Sequence, residues 1–110
     1  MNDKNHRTIE LASFTLAEGV EEETLMAVSD ALNADFLSRQ PGFLKRDLVK
    51  VADRQWADVI YWESRESVEQ AMQHATQNPA ALQYFQLMAN TGESDPSAEP
   101  MLMSVVRSYS

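Results

Sequence analysis

Residues 39–67, RQPGFLKRDLVKVADRQWADVIYWESRES, admit very few folds. Pro41-Gly42 stops any helix that precedes it, because proline cannot continue a helix and glycine accepts a left-handed turn. Two short runs follow, Phe43–Val51 and Gln55–Trp62, rich in Val, Ile, Trp and Tyr. Such residues suit the pleated, half-buried surface of a strand. Asp53-Arg54 leaves room for a tight turn, so the two runs pair as an antiparallel hairpin. Ser64, with Glu66 and Ser67 close behind, caps the helix that follows.

The flanking segments build on that hairpin. Thr8–Leu16 reads as a first strand. Its apolar phase changes near Leu11-Ala12, which points to a bulge or to burial on both faces. Gly19 breaks the strand. Glu21, Glu22 and Glu23 then fill a first helical turn, where negative charge suits the helix dipole. Leu25, Val28, Leu32 and Phe36 follow at helical spacing. After the hairpin, Val68, Ala71, Met72 and Ala75 mark the buried stripe of a second helix. Asn78-Pro79 opens a third, with Asn as cap and Pro at the first position; Leu82, Phe85, Met88 and Ala89 are its expected buried face. Residues 90–100, NTGESDPSAEP, form a polar connector, a candidate lid or tether. Met101–Arg107 reads as strand four. Residues 1–7 are expected to be a flexible arm, and 8–110 a single domain.

Strand, helix, strand, strand, broken helix, strand is the split β-α-β order of ferredoxin-like α+β folds. These carry one four-stranded antiparallel sheet with helices on one face. The other face cannot face water here. Strand three puts Trp56, Ile60 and Trp62 on one side and Ala57, Val59 and Tyr61 on the other, and strand four is equally two-sided. Helices cover one face only, so a second copy of the same sheet is the economical cover for the rest. A homodimer through the sheet face is therefore expected.

Composition removes several classes of function. The chain has 110 residues, enough for one core, and 44% are apolar. Its formal charge is −8, and its nine Lys and Arg are scattered. Nucleic-acid phosphates and anionic membranes both need clustered positive charge, so neither is an expected partner. There is no cysteine, which excludes disulfides, thiolate metal sites and a cysteine nucleophile. The polar start MNDKNHR is no secretory signal, and no segment approaches a membrane span. A cytoplasmic protein is expected.

QPGF at 40–43, DVIYWES at 58–64 with its capping SRES, and NPAALQYF at 78–85 resemble the antibiotic biosynthesis monooxygenase-like family of dimeric α+β barrels. The resemblance runs over roughly residues 8–107. It implies two ferredoxin-like sheets facing each other across a dimer to close a barrel. It also implies one of several activities: oxidation of quinols by dioxygen without a cofactor, haem degradation, or isomerisation of small hydrophobic metabolites. Trp62 matches a Trp that haem-degrading members use. Their histidine ligand falls where this chain has Leu82-Gln83-Tyr84-Phe85, and their Asn on strand one is absent. Haem is therefore not expected, nor any flavin or metal.

The expected function is cofactor-independent oxygenation of a small hydrophobic or aromatic, quinol-type metabolite. A non-catalytic ligand-binding module and a purely structural dimer are the alternatives. Two residues are candidates for proton transfer. His74 carries an imidazole, a side chain suited to general acid–base work, and sits on the flank of its helix; its ordinary reading is an exposed histidine favoured by the helix C-terminus. Asp58 is a mid-strand carboxylate, costly if buried alone; its ordinary reading is an ion pair with Arg46 or Lys45 across the hairpin. The expected substrate-binding residues are Trp62, Phe14, Phe36, Met72 and Phe85. No metal site is expected.

Overall fold

Arg54 takes a left-handed φ of 65° at the tip of the hairpin. Its guanidinium donates to the Leu16 carbonyl at 2.7 Å, and its own carbonyl accepts from the Leu16 amide at 2.7 Å. These two bonds offset a backbone conformation that β-carbons disfavour. They also tie the turn to the end of the first strand.

The computed structural model describes residues 6–89 and 100–110. The elements in order are β1 (Thr8–Thr15), α1 (Glu22–Asp35), a 3-10 turn (Leu37–Arg39), β2 (Phe43–Ala52), β3 (Gln55–Trp62), α2 (Arg65–Ala75), α3 (Pro79–Phe85) and β4 (Met101–Ser104). The four strands form one sheet in the order β2-β3-β1-β4, antiparallel throughout. This is the ferredoxin-like arrangement expected above.

The caps form as the local sequence dictates. Ser64 Oγ accepts from the Ser67 amide at 3.2 Å, and Asn78 Oδ1 accepts from the Ala81 amide at 3.0 Å. The β1–β3 register runs unbroken from Thr8↔Trp62 to Thr15↔Gln55. The change of apolar phase in β1 is therefore not a bulge: the strand carries apolar side chains on both faces. The irregularities lie in β2, at Phe43/Lys45 and Lys50/Ala52.

Strand four is shorter than expected, ending at Ser104 and not Arg107. Its partner β1 begins at Thr8, which faces Ser104. Beyond that point one more bond remains, from the Val105 amide to the Arg7 carbonyl at 2.8 Å. The connector expected at 90–100 lies outside the described residues except for Pro100, as do residues 1–5 of the expected arm.

The pairing assigns every strand side chain to a face. Thr8, Glu10, Ala12 and Phe14 share the helix-covered face with Trp56, Asp58, Ile60 and Trp62, and with Arg46 and Leu48. The core sits there, built on Leu25, Leu32, Phe36, Trp62, Val68 and Tyr84. Ile9 and Leu11 share the opposite face with Val59, Tyr61, Met101 and Met103. Among the described residues no helix covers that side, and Met101 and Met103 stand 57% and 37% exposed.

α3 is rotated relative to its expected face. Its buried residues are Ala81 and Tyr84, while Leu82 and Phe85 are 43% and 47% exposed. The small Ala81 side chain is fully buried and allows close packing. Tyr84 turns inward because its hydroxyl has partners beneath it.

Candidate functional site

Those partners are a buried carboxylate and a buried guanidinium. Arg46 Nε donates to Asp58 Oδ1 at 2.8 Å, with both side chains about nineteen-twentieths buried. Tyr84 donates its hydroxyl hydrogen to Asp58 Oδ2 at 2.8 Å. Arg46 Nη2 donates to the Tyr84 oxygen at 3.0 Å, and Nη1 reaches the Ser29 carbonyl at 3.4 Å. Burial pushes the Asp58 carboxyl above its usual range, and the charge of Arg46 pulls it partway back. Burial and the neighbouring Asp58 push the Tyr84 phenol far up, so it stays protonated and serves as a donor. The expected Asp58–Arg46 pair is present, and Tyr84 completes it as a triad.

Above this triad, between the sheet and the helices, lies a cavity of about 110 Å³. The sheet supplies Glu10, Ala12, Asp58, Ile60 and Trp62 to its wall. α1 and the residues after it supply Leu32, Phe36 and Leu37; α2 supplies Val68, Ala71, Met72 and Ala75; α3 supplies Ala81, Tyr84 and Phe85. The wall is almost wholly apolar. Met72 and Phe85 line it while remaining 37% and 47% exposed, so they mark its open side.

Glu10 is the second carboxylate in this wall. It faces Ile60 across the β1–β3 pair, which puts Trp62 on its diagonal. Trp62 Nε1–H donates to Glu10 Oε1 at 3.1 Å. Trp62 is itself 1% exposed, with Phe43 edge-on to its ring at 5.7 Å. Burial raises the Glu10 carboxyl above its usual range; the Trp62 bond lowers it and the nearby charge of Asp58 adds to the rise.

Four of the five expected binding residues line the cavity: Trp62, Phe36, Met72 and Phe85. Phe14 does not. It lies one residue pair further along β1, where its ring meets Tyr84 edge-on at 5.8 Å. His74 is also not brought to the cavity. It is exposed on the outer side of α2, with Nδ1 2.9 Å from Gln40 Oε1. That contact pins the end of α2 to the turn before β2. Asp58 reaches the cavity wall, but both its oxygens are already engaged.

Glu10 and Tyr84 are site residues that local patterning misses. The signal for Glu10 is a carboxylate in a strand that is apolar on both faces. Among the described residues, no three His, Cys, Asp or Glu side chains gather as a metal-binding group. Among them also, no helix is long and apolar enough to cross a membrane.

No family model matches the chain, and no curated protein matches it. Solved structures do. The cofactor-independent oxygenase SnoaB from Streptomyces nogalater is 21% identical, with a TM-score of 0.70 over 94% of this chain and 96% of that one. A candidate antibiotic biosynthesis monooxygenase from Bordetella bronchiseptica is 18% identical, with a TM-score of 0.68 over 94% and 99%. A haem-degrading protein from Mycobacterium tuberculosis is 17% identical, with a TM-score of 0.54 over 96% and 97%. The chain therefore has the fold of the antibiotic biosynthesis monooxygenase-like proteins over nearly its whole length.

Proposed function

We propose that this chain is a cofactor-independent monooxygenase acting on a small aromatic, quinol-type metabolite held in the cavity beside Trp62. The observation that carries the reading is the character of that cavity. It is an apolar wall interrupted by one constrained carboxylate triad and one carboxylate with accepting capacity to spare. Its fold neighbours include an oxygenase that works without a cofactor.

Such a reaction has a definite demand. A quinol-type carbon must lose a proton and then give electrons to dioxygen directly. One oxygen atom replaces the two hydrogens of that carbon as a carbonyl, and the other leaves as water. The protein supplies a site that excludes water, a proton acceptor and fixed hydrogen bonds. Trp62, Phe36, Met72 and Phe85 pack on the ring system. The Arg46–Asp58–Tyr84 triad holds α3 over the sheet and keeps the wall in shape.

The open sheet face supports a second part of the reading. A second copy of the chain covers Ile9, Leu11, Val59, Met101 and Met103, giving a homodimer. The absence of cysteine fits a reducing cytoplasm as the place where it works.

The test is oxygen uptake with a panel of anthrones and naphthoquinols, with no added haem, flavin or metal. Wild type is expected to consume oxygen with at least one of them. Trp62→Phe is expected to be impaired, and His74→Ala to match wild type. No uptake with any quinol, together with tight binding of an apolar ligand, would replace this reading with a non-catalytic binding module.

A further inference from the structure

We infer that Glu10 is the group in the cavity that accepts the proton of a hydroxyl-bearing ligand, and that the site therefore selects small rings with a phenol- or enol-type hydroxyl. The inference deepens the proposed function and rests on the cavity being a ligand site.

The geometry singles out Glu10 by what engages it and what does not. Asp58 has one oxygen bonded to Arg46 and the other to Tyr84. His74 stands outside the cavity. Glu10 has a single bond, from Trp62 Nε1–H to Oε1. Among the described residues nothing donates to Oε2 and no cation is within ion-pair distance. Ile60 and Leu102 flank Glu10 across the sheet, so its carboxylate stands in an otherwise apolar stretch of the wall. A structural ion pair would carry a cation here, and the described residues supply none. The arrangement is that of a cavity-lining acceptor with one oxygen held by Trp62 and the other not engaged by any donor among the described residues.

The step is a simple proton transfer. The ligand O–H bond breaks, an O–H bond forms on Glu10 Oε2, and the electron pair stays on the ligand oxygen as a phenolate or enolate. That anion is the electron-rich species that oxygenation needs. The charged and titratable groups around Glu10 are Asp58 on β3, Arg46 on β2 and Tyr84 on α3. The α1 and α2 sides contribute apolar side chains such as Leu32, Val68 and Met72. Burial leaves the carboxylate a stronger base than usual once it is ionised.

The test uses two neutral probes, 1-naphthol and its methyl ether, titrated calorimetrically into wild type and Glu10→Gln. The glutamine is isosteric, and its carbonyl can still accept from Trp62, but its amide offers the ligand donors only. Wild type at pH 8 is expected to prefer naphthol by ~10-fold, the scale of a hydrogen bond to a charged group. The preference should fade as pH falls through the raised carboxyl range. In Glu10→Gln it should collapse to within about twofold at every pH. Equal preference in the two proteins, or no binding of either probe to wild type, overturns the assignment. Retained preference with no oxygen uptake from any quinol sinks the oxygenase reading alone and leaves Glu10 in its role.

Discussion

The Tyr84 hydroxyl donates to Asp58 Oδ2 at 2.8 Å, joining the last helix to the centre of the sheet. Neither group has water to fall back on, since Tyr84 is 2% and Asp58 4% exposed. The relationship explains the rotation of α3. The helix turns its more apolar side, Leu82 and Phe85, outward so that one phenol can satisfy one carboxylate.

Removing a member of the triad should therefore cost more than its packing alone. Tyr84→Phe leaves an oxygen of Asp58 buried without its donor, and should lower unfolding free energy by about 1–3 kcal/mol. Arg46→Met leaves a buried charge uncompensated and should cost about 3–5 kcal/mol. The double variant Arg46→Met/Asp58→Leu removes both charges and should recover much of that loss. Urea denaturation of wild type, Tyr84→Phe, Arg46→Met, Asp58→Leu and the double variant decides it. A double variant as unstable as the sum of its parts would show that the pair is not the energetic unit.

Gly42 should be intolerant for a reason that Gly19 does not share. Both have positive φ, 84° and 86°. A β-carbon on Gly19 would meet nothing within 4 Å, whereas one on Gly42 would collide with the Ser67 side chain. Gly19→Ala should cost about 1 kcal/mol, the left-handed penalty alone. Gly42→Ala should cost clearly more, and Gly42→Ala/Ser67→Gly should bring it back toward the Gly19 value after correction for the lost serine. Equal denaturation midpoints for the two single alanine variants would contradict this.

These two cases show where the chain is legible and where it is not. The hairpin, the QPGF turn and the caps at Ser64 and Asn78 depend on neighbours within a few residues, and local chemistry states them plainly. The Arg46–Asp58 pair is also legible, because it spans only a hairpin. α3 misleads because Leu82, Phe85 and Met88 form a good apolar stripe, while the face that is buried is chosen by partners 26 and 38 positions away. Glu10 is hidden for the same reason. Its meaning depends on a register that sets Trp62, 52 positions along, on its diagonal. His74 has the right chemistry, but the helical phase turns it outward to Gln40.

The raised Glu10 carboxyl has a stability consequence whose sign can be worked out. Its folded value lies above the ordinary 4.5 of an unfolded chain. Between the two values the folded protein holds the proton and the unfolded chain has released it. Raising pH through that window therefore favours unfolding, and this contribution is present below pH 4.5 and lost above the folded value. Glu10→Gln should remove it. The variant should gain stability relative to wild type as pH rises from about 4 to 8, with the gain levelling off once wild-type Glu10 is fully ionised. Thermal unfolding across that range gives the comparison. A stability difference that does not change with pH would mean that Glu10 titrates as it does in the unfolded chain.

The uncovered sheet face leads to the last prediction. It carries Met101 and Met103 on β4 beside Ile9 and Leu11 on β1, with Val59 and Tyr61 on β3. Water against such a face is unfavourable at about 25 cal/mol per Å² of apolar surface, which makes self-association through it the economical outcome. Light scattering at micromolar concentration should give twice the 12.4 kDa chain mass. Met103→Asp places a charge opposite Ile9 in the middle of that face and should shift the mass toward 12.4 kDa. Because Met103 is 37% exposed within the single chain, the substitution should leave the far-ultraviolet circular dichroism unchanged. A monomeric wild type would contradict the assembly. A Met103→Asp variant that stays dimeric would move the interface off this face, and one that unfolds would mean that the folded chain is not stable without its partner. Glu69→Lys, on the exposed side of α2, serves as the control and should leave the mass unchanged.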